Sequence, residues 1–216
     1  MPSATISALP RPTLYGAPGW GSTLVEAMLA VAGVEFDFVD VEGFDTPGPM
    51  RDTILALNPL AQIPVLVCED GGVMTESAAI ALWLSERFPE SGLAPPPGSP
   101  ERARFLRYLV WLVTNVYATF TYADYPERWA PGDADTLRDT VIDYRKRLWR
   151  WFEGEARAPW VLGATMSVLD IYVAIMIRWR PNRPWFEAHA PGLVAIADRA
   201  AAHPAIAPVI ARNFPD

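Results

Sequence analysis

Residues 89–101 read PESGLAPPPGSPE, with five prolines and two glycines in one short run. Proline lacks a backbone N–H and its ring clashes with a preceding helical turn, so neither a helix nor a central strand can run through this stretch. It therefore divides whatever the chain builds. Before it, strand and helix signals alternate; beyond it, only helical periods persist. The predicted organisation is an α/β unit over 12–88, a linker over 89–99 and an all-α unit over 100–216.

Within the first unit, PTLYGA (12–17) reads as a short strand ending at Pro18-Gly19. STLVEAMLAVAG then places Leu24, Ala27, Met28 and Val31 at helical spacing and stops at Gly33. Ser22 is one candidate N-cap, and Thr23 with Glu26 has the spacing of a capping box. VEFDFVDV (34–41) alternates like a half-buried strand, and 50–57 reads as a short helix ended by Asn58-Pro59. VLVC and VMT form a hairpin about Asp70-Gly71-Gly72, followed by a helix over 76–88. Beyond the linker, helical periods cover 101–123, 133–155, 167–179, 192–202 and 205–211.

Composition narrows the function. A formal charge of -7 argues against nucleic acid and anionic membranes, both of which demand a basic face. The longest uncharged run, 108–123, is shorter than the roughly 20 residues that span a bilayer. The opening MPSATISALPRP has no apolar core and is not expected to be a signal peptide. A single cysteine, Cys68, excludes an internal disulfide and fits a reducing cytoplasm. His189 and His203 lack metal-ligand spacing, so no metal is expected.

Three motifs carry a resemblance. NPLAQIPVLV resembles the segment in which cytosolic glutathione S-transferases place a cis Val-Pro bond; Ile63-Pro64 fills that place, and Ala61 replaces a glycine. MTESAAIALWL resembles their Glu-Ser-x-x-Ile helix start, carried by Glu76, Ser77 and Ile80. WVLGATMSVLDIYVA resembles their folding motif, with Ser167 capping a helix and Asp170 completing the box. The resemblance implies a thioredoxin-like N-terminal domain followed by an all-helical C-terminal domain, a cytoplasmic homodimer, and glutathione as co-substrate. It places Gln62, Ile63 and Pro64 against the cysteinyl unit, with Glu76 and Ser77 on the γ-glutamyl end. The donors of a helix N-terminus suit that carboxylate. Read alone, Pro64 fits an edge-strand start better than a ligand site, and Glu76 and Ser77 are equally first-turn residues.

The thiol-activating position departs from the family pattern. Alignment on the resemblance puts Gly21 where bacterial beta-class members carry cysteine, and Gly19 near the cysteine or serine of other classes. Strand alternation turns Tyr15 to the other face. Lowering a thiol pKa from about 8.5 by about two units takes about 2.7 kcal/mol. A helix end supplies about 0.3–2 kcal/mol, and a hydrogen bond to a charged group about 1.5–3 kcal/mol. The amides of Trp20 to Ser22 therefore need a hydroxyl beside them. Ser22 is the expected one, unless it merely caps the helix. Cys68, inside a strand, reads as core.

For the second substrate, the resemblance directs attention to the helix over 101–123. Trp111, Tyr117 and Tyr122 are the expected pocket residues for a hydrophobic electrophile, with Tyr125, Glu127, Arg128 and Trp129 as a rim. Such a stripe is also what a core looks like. Arg178, Arg180 and Arg183, interleaved with tryptophans, read as a solvated surface, and Arg51 is a candidate for the glycyl carboxylate. The expected activity is conjugation of the glutathione thiolate to that electrophile. Alternatives are a glutathione-dependent reductase or lyase acting on glutathionyl adducts, and a non-catalytic glutathione-binding or assembly protein of the same fold.

Overall fold

The computed structural model describes residues 11–215; the segment expected to lack a signal peptide lies largely outside the described residues. Strand β1 (Thr13–Gly16) sits inside a four-stranded sheet. It pairs in parallel with β2 (Asp37–Asp40) and antiparallel with β3 (Val65–Val67), and β3 pairs antiparallel with β4 (Val73–Met74). The order is β2-β1-β3-β4, and Tyr15 lies level with both Val39 and Val65. A parallel pair needs a crossover, and α1 (Ser22–Val31) supplies it. β2 is shorter than its alternating sequence predicts and largely exposed, because it lies at the sheet edge. The β3–β4 turn forms at 70–72, where Gly71 has φ +84° and Gly72 N–H donates to Asp70 Oδ1 at 2.9 Å.

Two more helices complete this half, α2 (Pro49–Leu57) and α3 (Ser77–Arg87). Helix α1 is buried on every side from Ser22 to Leu29. Leu24, Val25, Met28 and Leu29 expose nothing, and each such side chain contributes about 1.5–3 kcal/mol on burial. One continuous core runs from Leu14, Leu24 and Ile80 into Phe105, Tyr172 and Ile175 of the helical half.

The helical half comprises α4 (Arg102–Trp111), α5 (Ala118–Asp124), α6 (Ala134–Glu155), α7 (Val168–Met176), α8 (Arg183–His189), α9 (Pro191–Ala201) and α10 (Ala207–Asn213). A π-helical turn, Leu112–Tyr117, joins α4 to α5 where one uninterrupted helix is predicted. Its wider winding rotates the residues that follow relative to α4. Helix α8 escapes the sequence reading because 178–185 looks like a solvated Arg/Trp run. Its Pro184 sits in the first turn, where the missing N–H costs nothing. The predicted Ser167–Asp170 capping box is present.

Candidate active site

Where β1 runs into α1, a cleft of about 1290 Å³ opens between the sheet and the helical half. Three stretches of the α/β half line one side: Gly19–Gly21, Gln62–Pro64 and Thr75–Ser77. Tyr117, Phe120 and Trp179 line the other, with Asp124, Tyr125 and Arg128 at the rim.

Trp20 stands 40% exposed, edge-on to Phe44 at 5.2 Å. Gln62 is exposed, and its carbonyl accepts from Asn58 Nδ2 at 2.9 Å. Ile63 is half-buried and joined to buried Pro64 by a cis bond. Ala61, in the place of a glycine, has φ +49°. Glu76 is exposed at the N-cap of α3 with φ 63°, ψ 103°, and its side chain makes no capping bond. Such a backbone costs about 1–3 kcal/mol and concentrates at ligand sites.

Ser77 opens α3 and is buried. Tyr172 Oη donates to its Oγ at 2.6 Å. A hydroxyl has one donor and two acceptor positions, so this bond fixes Ser77 and leaves its own proton for the cleft. Tyr172, fully buried on α7, was not singled out in the sequence. Its signal is a tyrosine in a helix that is apolar but for Asp170, since a buried phenol needs a polar partner. Burial raises its pKa, which keeps it a donor.

Three expected residues fall elsewhere. Ser22 exposes nothing and does not line the cleft. Its Oγ donates to Ala17 O at 3.0 Å and accepts from Ala17 N at 3.1 Å. The hydroxyl expected to face a thiolate, or to cap α1, instead closes the turn that precedes the helix. Trp111 packs against Trp151 and Phe152, with ring centroids at 4.7 and 5.2 Å, on a surface away from the cleft. Tyr122 is 41% exposed and meets Trp129 edge-on at 4.9 Å, also outside it. Of these three aromatics only Tyr117 lines the cleft; it ends the π turn, whereas Trp111 precedes that turn and Tyr122 follows it on another face.

The turn at 17–21 is held from the far end of the chain. Asn213 Oδ1 accepts from Gly19 N and from Thr23 Oγ1, both at 2.9 Å. Its Nδ2 donates to the Glu26 carboxylate at 3.3 Å, and Arg212 forms an ion pair with the same carboxylate. Thr23 and Glu26 therefore serve Asn213 rather than each other, and no capping box forms at α1. Trp179 Nε1 donates to Gly19 O at 2.7 Å.

The cleft is locally cationic in an acidic chain. Arg51, Arg128, Arg138, Arg178 and Arg180 line it, against Asp45, Glu76 and Asp124. Arg178 and Arg180 were read as surface, whereas Glu127, Trp129 and Arg183 do not reach it. At the rim, Tyr125 Oη donates to Asp45 Oδ2 at 2.9 Å and Arg128 Nη2 to Asp45 O at 3.0 Å. Burial pushes the Asp124 carboxyl up, opposed by Arg145 and Arg180. Cys68 lies outside, and burial pushes its thiol up, away from the thiolate. Among the described residues no group of three or more His, Cys, Asp or Glu is placed to hold a metal, and no helix is long and apolar enough to cross a membrane.

This arrangement has relatives. A family model of the glutathione S-transferase N-terminal domain matches residues 22–87. The GST-like protein YncG of Escherichia coli K12 is 47% identical over 201 residues, which cover 93% of this chain and 97% of that one. Two solved structures superpose with TM-scores of 0.76. One is a glutathione transferase from Methylococcus capsulatus strain Bath, 28% identical over 92% of this chain and 97% of its own. The other is a sphingomonad glutathione S-transferase complexed with glutathione, 27% identical over 94% and 100%. The chain belongs to the glutathione S-transferase family, with a thioredoxin-like N-terminal half and a helical C-terminal half.

Proposed function

We propose that this protein is a glutathione transferase that joins the glutathione sulfur to a hydrophobic electrophile. Residues 12–88 hold glutathione, 89–99 link, and 100–216 present the electrophile. The observation that carries the reading is Ser77: a buried hydroxyl at a helix N-terminus that lines the cleft beside an exposed carboxylate and accepts from Tyr172, so its own proton is left to donate. The γ-glutamyl end of glutathione carries a carboxylate and an ammonium on one carbon. Ser77 and the α3 amides suit the first, and Glu76 suits the second. Ile63 offers main-chain groups to the cysteinyl unit, Gln62 and Pro64 frame it, and the guanidiniums draw in the glycyl carboxylate. Trp20, Gly21, Tyr117 and Trp179 then surround the sulfur and its partner. The working form is a cytoplasmic homodimer.

Reductive chemistry through a protein thiol is disfavoured, because Cys68 lies outside the cleft with its thiol held protonated. One observation favours a binding role without turnover: no side chain at 19 or 21 activates a thiol, and Ser22 is turned away. Calorimetric titration with glutathione tests the main reading. Glu76→Ala is expected to weaken binding about ten- to hundredfold, the worth of one hydrogen bond to a charged group. Unchanged affinity would remove the site from this position. Binding without conjugation of a chlorinated nitroaromatic would leave the non-catalytic role.

A further inference from the structure

Gly21 has φ -58°, ψ -25°, ordinary helical values that any residue adopts. The backbone therefore gives no reason for a glycine there. A neighbour does. A Cβ built on Gly21 would lie 1.9 Å from Tyr117 Oη and 3.3 Å from its Cζ. The phenol from the helical half occupies the volume in which a side chain at position 21 would begin. The same point lies 3.5 Å from Ile63 O, the main chain assigned above to the cysteinyl unit.

Tyr117 is positioned rather than loose. It ends the π turn, tilts against Trp179 at 5.8 Å and meets Phe120 edge-on at 6.3 Å. Trp179 in turn holds Gly19 O, so ring and turn are fixed to one another. Burial, reinforced by Glu76, raises the phenol's pKa above its ordinary value. At neutral pH it is a hydrogen-bond donor and not a base.

We propose that Tyr117, reaching across from the helical half, donates the hydrogen bond to the glutathione sulfur that neither Gly19 nor Gly21 has a side chain to provide. The assignment rests on the glutathione reading above. The thiol S–H bond breaks and its proton leaves to water in the cleft, while the sulfur keeps the electron pair. Tyr117 Oη–H donates to that sulfur without giving up its proton. The pair then forms the carbon–sulfur bond, and the leaving group departs with the electrons of the bond it loses. Gly21 is the complement of this arrangement: it is small so that the phenol fits.

The test is a swap. Tyr117→Phe keeps the ring and removes the hydroxyl. In its glutathione complex the thiol pKa, read from ultraviolet thiolate absorbance, is expected to rise by about one unit or more. Its kcat/KM for a chlorinated nitroaromatic near pH 6.5 is expected to fall about ten- to hundredfold, with glutathione affinity held within about threefold. Gly21→Ser alone is expected to displace the phenol and impair folding or activity. Gly21→Ser combined with Tyr117→Phe returns a hydroxyl from the opposite side and is expected to bring the thiol pKa back down. An unchanged thiol pKa in Tyr117→Phe overturns the proposal, as does a double variant that binds glutathione yet keeps the raised value. A wild type that holds no glutathione overturns the underlying reading and this assignment with it.

Discussion

Asp170→Ala is expected to lower the unfolding free energy by about 3–5 kcal/mol, measured by urea titration of tryptophan fluorescence. The carboxylate exposes nothing. Its Oδ1 accepts from Val161 N at 2.8 Å, and its Oδ2 accepts from Ser167 N at 2.7 Å and Ser167 Oγ at 3.2 Å. Alanine strands these buried donors, and each unpaired one costs about 1–3 kcal/mol. The damage spreads because α7 packs inside the shared core and carries Tyr172 to Ser77. Loss of under about 1 kcal/mol would mean that water replaces the carboxylate.

The same residue sets a pH dependence. Burial raises its pKa to about 6 in spite of the donors that lower it, against about 3.9 in an unfolded chain. The folded state thus holds this proton more tightly than the unfolded one. The stability it brings is complete below about pH 4 and is lost as pH rises through about 6. The penalty of Asp170→Ala is expected to be larger near pH 4.5 than near pH 7.5. The opposite order would show that the donors outweigh desolvation.

Asn213→Ala is expected to cost about 2–4 kcal/mol and to weaken glutathione binding about tenfold. The first effect follows from burial: Gly19 N and Thr23 Oγ1 lose their shared acceptor, and the buried Glu26 carboxylate loses one of its two partners. The second follows because Gly19 begins the stretch that lines the cleft and has φ +79°, a conformation that its hydrogen bonds help hold. Differential titration, with stability and affinity measured on the same variant, separates the two. Lost stability with wild-type affinity would show that Trp179 and Ser22 secure the turn without Asn213.

What the sequence disclosed follows physical range. The strand pattern, the 70–72 turn and the Ser167–Asp170 box are written in residues that act on neighbours a few positions away, and the structure contains them. The Ile63-Pro64 and Glu76-Ser77 stretches are local in the same way, and both line the cleft. Ser22 misled because a serine at a helix start has several donors and acceptors within reach, and it bonds both the N–H and the carbonyl of Ala17 rather than a helix amide or the cleft. Trp111 and Tyr122 fall outside the cleft because the resemblance points to a helix and not to the face of it that turns inward: Trp111 packs on Trp151 and Phe152, and Tyr122 on Trp129. Asn213, Tyr172 and Trp179 were silent because their partners lie 190, 95 and 160 positions away in the chain. The meaning of Gly21 was hidden for a related reason: the atom that requires it belongs to residue 117.

The dependence of the 17–21 turn on Asn213 orders events during biosynthesis. A nascent chain emerges from its N-terminus, and its leading segments begin to fold while the rest is still being added. Here the sheet can assemble early, yet the stretch beside Gly19 stays without its clasp until α10 has been translated. A chain stalled short of α10 would therefore display the sheet with the 17–21 turn unclasped, and the wall of the cleft that this turn forms would be set only once α10 has emerged.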